Sequence, residues 1–156
     1  MSSDIHVTAA AVIERDGRFL LVEERVDGRL VLNQPAGHLD PGESLPAAAA
    51  RETFEETGYG FSPSHLVGVY HSQTDSGTTY VRFTFCGGHT APTGAVRLDE
   101  GIVAVHWLTR AQMLARSGDL RSPMVLRCVD DYLAGARHSL DVVRHLTLEL
   151  AKRAKP

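Results

Sequence analysis

Residues 37–59 read GHLDPGESLPAAAARETFEETGY, and the remainder of the chain is best read outward from them. The spacing predicts a helix over 44–57, with Pro46 tolerated in its first turn and Gly58 able to end it. At 3.6 residues per turn, Glu52, Glu55 and Glu56 fall within an arc of roughly 100°. Ala47, Ala50 and Phe54 lie nearly opposite, so the pattern predicts a small-residue face packed on a sheet and a carboxylate face turned elsewhere. Like charges at i, i+3 and i+4 repel by roughly a few tenths of a kcal/mol per pair. Arg51 can relieve part of that, through Glu55 at i+4 or through Glu43 across the loop. Three clustered glutamates alone more often make a solvated acidic face. The preceding glycines change the reading: Gly37 and Gly42 allow a sharp turn that can bring a backbone carbonyl beside the carboxylates. Such a donor set suits Mg²⁺ or Mn²⁺, which leaves positions for water and substrate phosphate.

The charge distribution points the same way. The chain has 156 residues and a formal net charge of −3. Residues 37–59 hold five acids against Arg51 alone, so the rest of the chain carries a small positive excess. A nearly neutral surface gives no electrostatic grip on a nucleic-acid polymer or an anionic membrane. Small phosphate esters remain compatible with it. At 43% hydrophobic and 22% charged residues, the composition is that of one globular domain over 1–156. Cys86 and Cys128 are isolated and fit a reducing, cytoplasmic setting. The opening Met1-Ser2-Ser3-Asp4 carries no signal-peptide pattern, and the longest apolar run, Ala9 to Ile13, is far too short for a bilayer.

Short apolar runs predict strands over 5–14, 18–25, 29–33, 66–73, 79–86 and 102–108. Two Asp-Gly pairs, at 16–17 and 27–28, separate the early runs as hairpin turns do. Helices are expected over 110–116 and 122–136. From Ser139 onward, Leu140, Val143, Leu146 and Leu150 keep a loose helical period. Strands with one helix inserted early and two late imply an α/β sandwich around a mixed sheet.

Gly37, Glu43, Arg51, Glu52, Glu55, Glu56, Gly58 and Tyr59 resemble the Nudix box: Gly, five residues, Glu, seven residues, then Arg-Glu-hydrophobic-any-Glu-Glu-any-Gly-hydrophobic. Seven fixed residue types arise by chance at about 10⁻⁸ per start position, taking each near 7% abundance. Thr53 is the one departure, standing where the pattern asks for an aliphatic residue; its methyl group can still pack, with weakened helix docking expected. Val7–Val12, Phe19–Glu24, Leu32–His38 (LNQPAGH), Val81–Phe85 and Leu120–Pro123 (LRSP) look like the NudJ-type phosphatase branch. The likeness runs from about Ile5 to Val143, leaving the last dozen residues as an extension.

The resemblance implies a Nudix-type α/β/α sandwich with the box as loop–helix–loop. It implies Mg²⁺, or Mn²⁺, held by Glu52, Glu55, Glu56 and the Gly37 carbonyl, with Arg51 and Glu43 orienting the glutamates. Glu52, Glu56 and Glu100 are the catalytic expectations, with Glu52 first and Glu100 second for the general base; Asp99 and Glu100 otherwise read as ordinary loop acids. Arg82 can meet a phosphate or face outward, and His38 can touch substrate or stabilise a turn. Glu23 and Glu24 are strand neighbours, so at most one lines a cleft. Tyr70, Tyr80 and Trp107 can stack on a ring or fill the core. The eight histidines show no HxxxH or HxH pair that would announce zinc.

The activity implied is hydrolysis of nucleoside tri- and diphosphates and of thiamine or hydroxymethylpyrimidine diphosphate, releasing orthophosphate. An ADP-sugar, dinucleotide or oxidised-nucleotide pyrophosphatase is the alternative within the enzyme class. A non-catalytic ligand-binding module fits less well, because all three box glutamates are present. The partners implied are small phosphorylated molecules, to a monomer or homodimer, with no nucleic-acid polymer and no membrane.

Overall fold

The computed structural model of the chain describes residues 4–147. Its elements in order are β1 (Ile5–Val12), β2 (Glu14–Arg15), β3 (Arg18–Val26), β4 (Arg29–Asn33), β5 (Ala36–His38), α1 (Leu45–Thr57), β6 (Gly60–Gln73), β7 (Thr79–Thr90), β8 (Ile102–Thr109), α2 (Arg110–Ala115), α3 (Pro123–Leu133) and β9 (His138–Ser139). Five strands form a mixed sheet in the order β5-β1-β7-β6-β9, parallel only where β1 meets β7. A second, antiparallel sheet is built around β3, which pairs with β2, β4 and β8. The expected mixed sheet is therefore present, with an antiparallel one beside it. Both Asp-Gly pairs close two-residue hairpins, and all four residues have φ between 48° and 78°. That geometry is the type I′ turn, whose twist matches the flanking strands.

Strand alternation sorts the core onto two faces. Ala9, Ala11, Ile13, Phe61, Leu66 and Phe85 pack with Ala48 and Ala49 of α1. Val12, Phe19, Leu21 and Leu32 pack with Met113 of α2 and with Val125, Cys128 and Val129 of α3. The helices thus lie on opposite sides of the strands, as a sandwich requires.

Several elements differ from expectation. Strand β6 starts at Gly60 rather than 66, and β7 runs on to Thr90. Two register shifts in β6, at Pro63/His65 and Leu66/Gly68, break the alternation by which a strand is recognised. Strand β5 is only three residues long and offers no periodicity to read. The helical period after Ser139 gives the two-residue β9 and one 3₁₀ turn at Leu140–Val142; Leu140 and Val143 reach the core, Leu146 is exposed, and Leu150 lies outside the described residues.

Helix α1 also lies differently on its sheet. Ser44 caps it by accepting from the Ala47 N–H, and the Gly58 N–H donates to the Phe54 carbonyl. Its buried residues are Ala48, Ala49, Thr53, Glu56 and Thr57, whereas Phe54 is 63% exposed and Ala47 also faces solvent. The carboxylate stripe adjoins the packing stripe instead of opposing it. Thr53 is wholly buried, its hydroxyl donating to the Ala49 carbonyl at 2.7 Å, so the polar group is satisfied within the helix. This close seat leaves no room for larger side chains. Ala49→Leu is expected to cost about 1–3 kcal/mol in urea unfolding, through overpacking against the sheet.

Candidate active site

Arg51 organises the acidic segment. Its Nε and Nη2 donate to the two oxygens of Glu43 at 2.8 and 3.0 Å, a bidentate pair. Nη1 donates to Glu52 at 2.8 Å and to Glu55 at 3.0 Å, and Nη2 also reaches the His38 carbonyl. One guanidinium therefore ties the loop before α1 to two glutamates on the helix. The Arg51 charge holds Glu43 below the usual carboxylate range, and these acids hold Arg51 firmly protonated.

Gly37 governs how close Glu52 comes to the backbone. A Cβ at position 37 would fall on the Glu52 carboxylate, so only glycine leaves that space. Burial raises the Glu52 pKa, with Arg51 opposing the shift. Glu56 is buried and accepts from the Ala36 N–H of edge strand β5 at 3.0 Å. Burial pushes its pKa up to about 8, and nearby Glu52, Glu24 and Asp99 add to the rise. Asp99 comes in from the loop before β8, its N–H bonded to the Glu55 carbonyl at 3.1 Å. Oxygens of Glu52, Glu55 and Asp99 lie within 4.8 Å of one another. Three carboxylates converging beside a backbone cradle fit a hard divalent cation.

Of the two loop acids weighed from the sequence, Asp99 is the one that joins this group; both are exposed and neither lines the cleft, but only the Asp99 carboxylate meets the box glutamates. Nothing in the sequence separates the neighbours, because the turn closed by the Ile102 N–H on the Asp99 carbonyl decides which meets the box glutamates.

A cleft of about 710 Å³ opens beside these carboxylates. Gly37, His38, Glu52 and Glu56 line it together with Arg82, Asn33 and Arg121. Glu24 lines the cleft and pairs with Arg121 at 2.8 Å, while Glu23 turns to His106. Tyr80 lines the cleft and stacks on His6, which in turn meets His38 Nε2 at 2.9 Å. Their 32-residue separation in sequence hides that contact. Trp107 lies away from the cleft, donating to the Tyr59 hydroxyl with Arg15 over its ring. Tyr70 packs on the second core and donates to Asp131.

The NUDIX domain family model matches residues 4–127. The chain belongs to the Nudix hydrolases. Phosphatase NudJ of Escherichia coli (strain K12) is 36% identical over 138 residues, covering 88% of this chain and 90% of that protein. A NUDIX hydrolase from Nitrosomonas europaea is 46% identical, with a TM-score of 0.88 over 92% of this chain and 98% of that one. The MutT protein from Methanosarcina mazei Go1 shares the fold at 23% identity and TM-score 0.66, covering 86% of this chain and 94% of that one. Among the described residues, this Nudix hydrolase has no helix long and apolar enough to cross a membrane.

The raised pKa of Glu56 has a consequence for stability. In metal-free protein the folded state keeps a proton that the unfolded chain has already lost between roughly pH 4.5 and 8. Stability in EDTA is expected to fall across that window by up to about 1.4 kcal/mol per pH unit. Glu56→Gln mimics the protonated form, so its denaturant midpoint should change less with pH than the parent's.

Proposed function

We propose that the chain is a divalent-metal-dependent hydrolase of nucleoside tri- and diphosphates and of small diphosphates such as thiamine or hydroxymethylpyrimidine diphosphate, with release of orthophosphate. The observation that carries this reading is the convergence of Glu52, Glu55 and Asp99 next to Gly37, on the rim of a cleft that also holds Arg82. The likeness to phosphatase NudJ over most of both chains supports the release of orthophosphate.

Gly37, Glu52, Glu55 and Glu56 would hold Mg²⁺ or Mn²⁺, joined by Asp99. Arg51 and Glu43 orient them. When bound, the cation supplies charge neutralisation on phosphoryl oxygen and lowers the pKa of a coordinated water. Glu52 is our assignment for the general base: its carboxylate lines the cleft beside the Gly37 backbone, where the attacking water would stand. Glu100 has no such position. The water oxygen bonds to the terminal phosphorus, its proton passes to the carboxylate, and the anhydride P–O bond breaks. Orthophosphate and the shortened phosphate ester leave. His38 and Arg82 contact the substrate from the cleft wall.

Two measurements test this. Glu56→Gln is expected to lower kcat with Mg²⁺ by about a thousandfold, the effect of losing several kcal/mol of charge stabilisation. Parental turnover in that variant contradicts the site. A product assay with Mg²⁺ over nucleotides, thiamine diphosphate, ADP-ribose and dinucleoside polyphosphates is expected to show orthophosphate release from the first two groups. Preference for ADP-ribose, yielding two monophosphates, overturns the substrate class and leaves the Nudix fold and site unaffected.

A further inference from the structure

Residues 91–101, between β7 and β8, form the loop that brings Asp99 to the carboxylates, and its contacts with α1 lie outside the cleft. The C-terminal turn of α1 receives it. Carbonyls at a helix end have no intrahelical donors and need partners from elsewhere. Here the Gly58 N–H donates to the Phe54 carbonyl, and the Tyr59 N–H donates to Thr57 Oγ1 at 3.1 Å. The Glu55 carbonyl is left to the Asp99 N–H, so the loop caps the helix that carries the glutamates.

Three residues before Asp99 the loop touches the same helix end again. A Cβ at position 58 would stand 2.5 and 2.6 Å from the two methyl groups of Val96. The Val96 side chain therefore fills the hollow that glycine leaves. Beyond Asp99, the Gly101 carbonyl accepts from the Arg25 N–H of β3 at 2.9 Å, and the Ile102 N–H closes on the Asp99 carbonyl at 3.2 Å. Asp99 is thus held from both sides, by Val96 before it and by β3 after it. The position it holds is electrostatically unfavourable. Glu52 and Glu55 share the Arg51 guanidinium, whereas among the described residues no cationic side chain pairs with Asp99. Its carboxylate adds charge to an already acidic group, and like charges at this range repel. A free loop would swing that carboxylate into water; a docked one keeps it in place.

We infer that Val96, seated in the Gly58 hollow, is a positioning residue that holds Asp99 against the glutamates before a cation arrives. This rests on the proposed cation site and adds to it a residue outside the cleft. The conformational entropy of the loop is lost on folding, and is not lost again when the cation binds. Gly58 then serves the site twice, by ending α1 and by leaving room for Val96.

The test is a double-mutant cycle on the whole protein, with Mn²⁺ affinity read from the electron paramagnetic resonance of the free ion. Asp99→Asn is expected to bind Mn²⁺ about tenfold more weakly than the parent, through loss of a charged oxygen donor. Val96→Ala is expected to bind about threefold more weakly, and the double variant to match Asp99→Asn, because Val96 acts only through the Asp99 carboxylate. A purely structural Val96 would leave the affinity unchanged or act independently of Asp99. A second readout dispenses with metal: in EDTA, hydrogen exchange at the Asp99 N–H should quicken about fivefold in Val96→Ala, while exchange in β1 stays parental. Val96 is 40% exposed, so shortening it opens no core; if Val96→Ala still fails to fold, Val96→Thr enters the same cycle. Parental affinity or parental exchange in the folded variant, or independent effects in the cycle, overturns the inference. Failure of the cation reading looks different: the parent itself then binds no Mn²⁺, and exchange in EDTA alone decides whether Val96 docks the loop.

Discussion

Four carboxylates, from Glu43, Glu52, Glu55 and Asp40, surround the guanidinium of Arg51 at N···O separations between 2.8 and 3.5 Å. Without that cation, like charges on successive turns of α1 would repel one another and the loop before them. With it, the acids are drawn together while their total charge stays negative. Arg51 also bonds the His38 carbonyl, so the same side chain registers β5 against the helix. Gly37 and the Glu56–Ala36 hydrogen bond complete this join between edge strand and helix. The carboxylate cluster and the cleft rim both depend on it.

The seating of α1 is the second constraint. Ala48, Ala49 and Thr53 let the helix approach the sheet closely, and Glu56 is carried into a buried position on the same side. Burial is what lifts its pKa, so the packing of small side chains and the electrostatics of the site have one origin. A helix with its carboxylates turned wholly away from the sheet would leave them solvated and ordinary.

Much of this was legible in the sequence, for physical reasons that can be named. The Glu52–Glu55–Glu56 spacing and the Arg51–Glu55 pair at i+4 are set by helix geometry, and Glu43 lies only eight residues from Arg51 across the loop, so these local contacts could be read from the sequence. The Asp-Gly hairpins were legible because two-residue turns restrict φ so narrowly. The inner face of α1 was misjudged, since Ala and Phe carry hydrophobicity but not the distance at which a helix sits. Asp99 could not be told from Glu100. His6 against His38 was hidden because the two meet only through strand pairing across 32 residues, a contact that no periodicity encodes.

On the proposed function, the acidic stripe of α1 is held against the backbone of β5 so that it can grip a divalent cation. Binding of Mn²⁺ to the parent and to Gly37→Ala, followed by electron paramagnetic resonance of the free ion, tests it directly. The added methyl group would displace the Glu52 carboxylate, so the variant is expected to bind Mn²⁺ at least tenfold more weakly while remaining folded. Equal affinity in the two proteins would contradict the account.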